Sequence, residues 1–152
     1  MNILVSACLL GFKTKFDGTD NSKHMNQNLL EELKKTATLI PFCPEIYGGL
    51  KTPRSPSEVN GKKIFDIEGK DNTLQFTKGA EEALKAAQFY DCKVALFKEK
   101  SPSCSPTKIY DGTFSKKLID EKGITAKLLE ENGIKLFGET QLEELILFCK
   151  EN

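Results

Sequence analysis

The sequence predicts an α/β fold: a three-layer, Rossmann-like domain with a mostly parallel sheet of about four strands. Short apolar runs typical of buried strands alternate along the chain with longer segments whose apolar residues recur at helical spacing. Strands that alternate with helices form parallel βαβ units with right-handed crossovers. Because a chain of 152 residues has the usual length of one domain, we expect residues 1–152 to form a single domain.

Four apolar runs predict the strands of this sheet. They cover residues 2–7, 38–42, 93–98 and 134–137. Each run is short and bounded by turn-forming or polar residues, as strands buried in a parallel sheet usually are. We take 2-1-3-4 as the order of these four strands across the sheet.

Five segments predict helices. They cover residues 24–36, 73–90, 115–120, 125–132 and 140–150. The longest of them carries an apolar stripe formed by Phe76, Ala80, Ala83, Leu84 and Ala87. Gly133 is placed to end the fourth helix, and Thr140 with Glu143 forms a capping-box pattern at the start of the last.

The connection between the second strand and the longest helix is long. Residues 46–57 are punctuated by glycines and prolines, and a loop of this length is usually functional or disordered. The dipeptide Asn60-Gly61 then favours the tight turn of a small hairpin.

The charge composition argues against nucleic acid or a membrane surface as a partner. The 22 basic residues balance 22 acidic ones, so the chain offers no basic footprint. No apolar run approaches the ~20 residues of a membrane-spanning helix, and residues 1–10 lack the features of a signal peptide. We expect a cytoplasmic protein, a monomer or weak homo-oligomer, whose partner is a small molecule.

The five cysteines divide into two groups. An odd number does not suggest a secreted disulfide framework, so packing, metal binding or catalysis must explain each thiol. Cys8, Cys43 and Cys104 follow the first three predicted strands. Because the carboxyl ends of parallel strands share one edge, where ligands bind, we expect these three in one crevice. Cys92 and Cys149 are expected to pack in the core.

Three thiolates in a chain with a single histidine suit zinc or an iron–sulfur cluster. The paired CxxC spacing of structural zinc sites is absent, and three ligands leave one coordination position open. On a four-iron cluster that opening leaves one iron free to act as a Lewis acid or to take a sulfur atom. Two alternatives stay open: a cluster-free enzyme that transfers persulfide sulfur through one low-pKa thiolate, and a non-catalytic metal-binding module.

Polar side chains near these cysteines are candidate catalysts. Glu45 follows the second cysteine by two residues and could act as a general acid or base. Ser101 and Ser103 lie just before the third cysteine, and Asp17 belongs to the loop after the first. The alternatives are a solvated carboxylate for Glu45 and turn-forming hydrogen bonds for the serines and Asp17. Arg54 could contact substrate or be an ordinary surface residue.

Several short motifs occur together in an order that is typical of one family. They are Val5-Ser6-Ala7-Cys8-Leu9-Leu10-Gly11, Phe16-Asp17-Gly18, Cys43-Pro44-Glu45, Gly48-Gly49-Leu50, Thr52-Pro53-Arg54 and Ser101-Pro102-Ser103-Cys104. On these motifs the sequence resembles the 2-thiouracil desulfidase (TudS) family over nearly its whole length. Two departures lie near the cysteines: Thr14-Lys15-Phe16 stands where the family commonly has Cys-Arg-Tyr, and Ser105 where it usually has glycine.

The resemblance implies a [4Fe-4S] cluster whose unique iron binds the sulfur of a thiolated pyrimidine. Its three cysteine ligands would be Cys8, Cys43 and Cys104. Glu45 and Ser101 match the family's proposed catalytic residues, Asp17 would be a helper, and Ser103 is left to shape the turn. The implied reaction is non-redox: the cluster takes the sulfur as hydrosulfide while water or a hydroxyl attacks the thiocarbonyl carbon. 2-Thiouracil would yield uracil and hydrogen sulfide.

Overall fold

The central sheet of the computed structural model, which describes residues 1–152, has four parallel strands. Numbered along the chain, they are β1 (Asn2–Ser6), β2 (Thr38–Phe42), β5 (Val94–Phe97) and β8 (Lys135–Gly138). Their order across the sheet is β2-β1-β5-β8, and every neighbouring pair is parallel. The predicted α/β class and the predicted order 2-1-3-4 are therefore confirmed.

Helices cover both faces of the sheet and complete the three layers. They are α1 (Gln27–Thr36), α2 (Pro44–Tyr47), α3 (Thr73–Phe89), α4 (Ile124–Glu131) and α5 (Leu142–Glu151). Because successive strand residues point to opposite faces, Ile3 and Val5 pack with α1 and α5, whereas Leu4 packs with α3 and α4. The sheet thus separates two apolar cores. None of the helices combines the length and apolar character needed to cross a membrane.

The prediction of a helix over residues 115–120 is wrong. This region instead forms a small antiparallel pair, β6 (Ile109–Tyr110) with β7 (Leu118–Ile119). Phe114 and Lys116 have φ angles of 55° and 63°, which a right-handed helix does not allow. The Glu58 carboxylate accepts hydrogen bonds from two backbone N–H groups of this turn. A six-residue helix could not compensate for losing that contact, because short helices are marginal by themselves.

The predicted hairpin is present and comprises β3 (Ser57–Asn60) and β4 (Lys63–Asp66). At the other end of the chain, the capping-box prediction is wrong. The last helix begins at Leu142, after a short 3-10 turn, and Gln141 Oε1 accepts the hydrogen bond from Gly138 N at 2.8 Å. The Thr140 hydroxyl donates instead to the Glu99 carboxylate at 2.7 Å. Gly133 ends α4 with a positive φ of 82°, as predicted.

Two glycines let α2 approach α3 at backbone distance. A Cβ atom on Gly79 would overlap the carbonyl oxygen of Pro44, and one on Gly48 would overlap that of Gln75. Only glycine permits this approach, which seats α2 firmly on the longest helix. Because α2 begins immediately after Cys43, its packing fixes the position of that cysteine and of Glu45.

Candidate active site

The three predicted cysteines lie at one edge of the sheet. Cys8 is in the 3-10 turn that follows β1, Cys43 lies between β2 and α2, and Cys104 is in the loop after β5. In the sheet Ser6 lies opposite Phe42, so the chain leaves β1 and β2 at the same level. The three thiols are near enough for the charge of a Cys43 thiolate to raise the pKa of Cys8 and of Cys104.

Burial has the largest effect on the pKa values of these three thiols. It is the largest cause raising the pKa of Cys8 and Cys43, and it raises the pKa of Cys104 to about 12. All three are free thiols. Burial therefore works against a low-pKa thiolate, which cluster-free persulfide transfer requires.

Each of the three sulfur atoms accepts hydrogen bonds that partly oppose the effect of burial on its pKa. The donors are the Asn21 side chain at Cys8, the backbone N–H groups of Glu45 and Ile46 at Cys43, and the hydroxyl of Ser6 at Cys104. Ser103 Oγ lies 3.6 Å from the Cys104 sulfur. Hydrogen bonds to sulfur stabilise the thiolate, which is the form that binds metal.

The donor set fits an iron–sulfur cluster better than a single metal ion. No three His, Cys, Asp or Glu side chains converge closely enough to hold one ion. In a cluster each cysteine binds a different iron, so the sulfur atoms need only line a shared space. Cys92 and Cys149 lie in the cores on opposite faces of the sheet, as predicted, which leaves three thiols at the site.

Glu45 is a fixed side chain in α2, not a solvated loop carboxylate. The two carboxylate oxygens have different partners: Oε1 accepts from Arg54 Nε at 3.1 Å, and Oε2 accepts from Ser103 Oγ at 3.0 Å. Only 16% of the side chain is exposed. The carboxylate is therefore held in one orientation beside Cys43.

Ser101 joins the same hydrogen-bonded chain. Its Oγ accepts from the backbone N–H groups of Ser103 and Cys104 at 3.3 and 3.0 Å. The hydroxyl oxygens of Ser101 and Ser103 are 3.1 Å apart. Because Ser103 donates to Glu45, its oxygen is free to accept the Ser101 proton, and the chain runs from Ser101 through Ser103 to Glu45. Ser103, predicted only to shape the turn, thus also bridges the two candidate catalysts.

Asp17 lies apart from this chain of hydrogen bonds. Its carboxylate accepts from the backbone N–H and the hydroxyl of Thr19, and these bonds lower its pKa. Lys15 Nζ is 4.0 Å away. The hydrogen bonds of Asp17 are local and do not reach the cysteines, Glu45 or Ser101.

Residues at both departures from the family pattern form hydrogen bonds in the structure. Ser105 is fully buried, and its Oγ accepts from the backbone N–H groups of Lys100 and Lys108 at 3.1 and 3.2 Å. The hydroxyl therefore braces the loop that carries Cys104. At the other departure, the carbonyl oxygen of Thr14 accepts a hydrogen bond from Arg54 at 2.8 Å.

Sequence reasoning missed several residues of the site. It did not place Ser6 and Asn21 next to sulfur, and it missed the buried ion pair between Lys98 Nζ and Glu139 Oε2 at 2.9 Å. Ser6 lies in the first of the family motifs, but only as a neighbour of Cys8, and Asn21, Lys98 and Glu139 lie in no motif. Arg54 did carry a signal, because it is the only arginine in the chain.

The fold and the site together define a class of protein: a three-layer α/β domain with three free thiols and a fixed carboxylate at the carboxyl edge of a parallel sheet. The chain belongs to the 2-thiouracil desulfurase family, whose model matches residues 3–141. This confirms the family that the motifs indicated.

Two individual proteins show the extent of the similarity. The chain is 40% identical to the [4Fe-4S]-dependent thiouracil desulfidase TudS, whose solved structure it matches with a TM-score of 0.93 over 99% of both chains. It is 34% identical over 154 residues to the uncharacterized protein YbbK of Bacillus subtilis (strain 168), covering 95% of this chain and 99% of that protein.

Proposed function

We propose that this protein is a [4Fe-4S]-dependent thiouracil desulfidase that converts 2-thiouracil and water to uracil and hydrogen sulfide without net redox change. The observation that carries the proposal is the set of three free thiols at one sheet edge, each with a hydrogen-bond donor at its sulfur. The similarity to TudS, at 40% identity and a TM-score of 0.93, supports the same cofactor and a thiolated pyrimidine as substrate.

In this proposal Cys8, Cys43 and Cys104 hold the cluster. When bound, the cluster supplies an iron without a protein ligand, which acts as a Lewis acid toward the substrate sulfur. The donors at the three sulfur atoms stabilise the thiolates, and hydrogen bonds of this kind also tune a cluster's reduction potential.

Glu45 is the proposed general base. Its carboxylate accepts a proton from a water molecule whose oxygen adds to the thiocarbonyl carbon. The carbon–sulfur bond then breaks and the sulfur leaves with the two protons of that water as hydrogen sulfide, so atoms and electrons balance. Ser101, linked to Glu45 through Ser103, holds a hydroxyl proton at the site.

Metal analysis of the cysteine variants tests the cofactor assignment. After anaerobic reconstitution we expect about four irons per chain, lost in Cys8→Ala, Cys43→Ala and Cys104→Ala. Cys92→Ala is the matched control and keeps its iron, because that thiol is buried in the core behind the sheet. Wild-type protein that stays free of iron after reconstitution would contradict the assignment.

Hydrogen sulfide release from 2-thiouracil separates an enzyme from a metal-binding module. We expect Glu45→Gln and Ser101→Ala to keep the cluster and to lose about 10²- to 10⁴-fold in kcat, the usual contribution of general acid–base catalysis. A cluster-loaded wild type that releases no hydrogen sulfide would favour the module, whereas full activity in both cluster-loaded variants would show that neither side chain is catalytic. Asp17→Asn separates two roles for that residue: loss of a helper lowers kcat, whereas loss of a turn residue lowers stability alone.

A further inference from the structure

Arg54 stands out from the other cations of the chain. Every other basic residue is a lysine, although the chain has 22 basic residues in all. Arginine and lysine carry the same charge, but only arginine presents five N–H donors in a rigid planar fork. The single arginine of the chain is the residue that pairs with Glu45.

The guanidinium of Arg54 forms four hydrogen bonds with this fork. It donates from Nε to Glu45 Oε1 at 3.1 Å, from Nη1 to Lys51 O at 3.2 Å and Thr52 Oγ1 at 3.0 Å, and from Nη2 to Thr14 O at 2.8 Å. The backbone N–H of Arg54 donates to the carbonyl oxygen of Phe16 at 2.7 Å. Only 10% of the side chain is exposed. Arg54 therefore joins the loop that follows β1, the loop that follows α2 and the carboxylate of Glu45.

A lysine could not reproduce this arrangement. Its ammonium group has three donors around a single nitrogen, whereas the four acceptors at Arg54 are spread along the edges of a planar group. Loss of the guanidinium would leave Glu45 with Ser103 as its single side-chain partner. A largely buried carboxylate that loses its cation moves toward water or toward another donor.

We propose that Arg54 is a positioning residue that fixes the Glu45 carboxylate relative to Cys43 and Ser101. This inference rests on the proposed function and deepens it. Arg54 holds Oε1 and Ser103 holds Oε2, so the carboxylate cannot rotate, while each oxygen keeps a free lone pair to accept a proton from water. Arg54 acts through Glu45 and through the two loops, not on the substrate.

Kinetics of anaerobically reconstituted Arg54 variants test this role. Arg54→Lys and Arg54→Ala are expected to keep the cluster and to lose about 100-fold in kcat with little change in KM, because misplacing a catalytic group by ~1 Å has an effect of that size. Millimolar guanidinium should restore part of the Arg54→Ala activity, whereas ammonium at the same ionic strength should not. Lys62→Ala, which removes an exposed cation from the β3–β4 turn, is the matched control for charge loss and keeps full activity.

A double-mutant cycle on the cluster-free protein tests the same contact without catalysis. The experiment compares the urea midpoints of wild type, Arg54→Lys, Glu45→Gln and the double variant. Arg54→Lys should lower the midpoint less in the Glu45→Gln background than in wild type. Additive midpoint shifts would overturn the proposal, as would a wild-type kcat in cluster-loaded Arg54→Lys. Because the cycle needs no cluster, it still tests the Arg54–Glu45 contact if the Arg54 variants fail to bind the cluster.

The failure of the proposed function and the failure of the Arg54 inference can be told apart. If wild type binds the cluster but releases no hydrogen sulfide, the proposed function fails. If wild type is active and the Arg54 variants are equally active, only the Arg54 inference fails.

Discussion

At the scale of single residues, Ser103 is the side chain whose role in the structure differs most from the role predicted from the sequence. Its hydroxyl lies between Ser101, Glu45 and the Cys104 sulfur, and it is only 1% exposed. A buried hydroxyl must satisfy its hydrogen-bonding capacity inside the protein, so its orientation is fixed by these neighbours. Ser103 is therefore the link between the loop that carries the third cysteine and the carboxylate beside the second.

We expect Ser103→Ala to lower kcat by about 10- to 100-fold, the size of effect typical of outer-shell partners at metal sites. The cause is the loss of the bridge between Ser101 and Glu45. Iron content should stay near that of wild type, because Ser6 still donates to the Cys104 sulfur. Iron analysis and hydrogen sulfide release measure the two effects, and Ser115→Ala, an exposed serine, is the control. A variant that loses iron and activity together would show that Ser103 serves the cluster instead.

At the scale of elements, the site depends on how closely short α2 lies on long α3. Four residues cannot form a stable helix by themselves, so α2 exists because its backbone is pressed against that of α3. Gly48 and Gly79 make this possible, since a Cβ atom on either would overlap a carbonyl oxygen of the other helix. The same contact places Glu45 at the sheet edge.

Gly79→Ala tests this packing. Alanine favours a helix over glycine by up to ~1 kcal/mol, but the added methyl group must displace the Pro44 carbonyl. We expect a net loss of about 1–3 kcal/mol in the free energy of unfolding, the typical cost of overpacking, together with a lower kcat because Glu45 moves. Urea unfolding measures the first effect. Lys78→Ala, an exposed neighbour on the same helix, should change stability by less than about 0.5 kcal/mol. A Gly79→Ala protein as stable as wild type would contradict the close approach.

At the scale of the whole molecule, the carboxyl edge of the sheet is braced by a buried ion pair. Lys98 follows β5 and Glu139 follows β8, and their side chains are only 16% and 6% exposed. Glu139 Oε1 also accepts the backbone N–H of Glu99 at 2.6 Å. The pair thus joins the carboxyl ends of two neighbouring strands. The Lys98 charge partly opposes the burial that raises the pKa of Cys8.

A second Lys–Glu pair provides an internal comparison. Lys150 and Glu32 are 2.7 Å apart on the surface, with side chains 51% and 44% exposed. We expect Glu139→Ala to cost about 3–5 kcal/mol of unfolding free energy, because it leaves a buried cation unpaired. Glu32→Ala should cost less than about 1 kcal/mol, as exposed ion pairs do. Urea unfolding at neutral pH compares the two, and equal costs would mean that the Lys98–Glu139 pair is solvated.

Much of the architecture could be predicted because it depends on local patterns and on topology. The alternation of apolar runs with amphipathic segments was sufficient for the α/β class, and the strand order was predicted correctly. The position of three cysteines after three strands placed them at one edge, because all strands in a parallel sheet end on the same side. The predicted helix at residues 115–120 failed because a carboxylate from a distant hairpin, Glu58, binds the turn.

By itself, the sequence determined the fold class, the family and the shared edge at which Cys8, Cys43 and Cys104 lie, because periodicity, motif order and strand polarity are properties of the linear chain. Only the tertiary structure decided which side chains meet there. Ser103 and Glu45 are 58 positions apart, and Lys98 and Glu139 are joined across two strand ends. Such contacts arise from packing and from the need to pair buried polar groups, which no local pattern encodes.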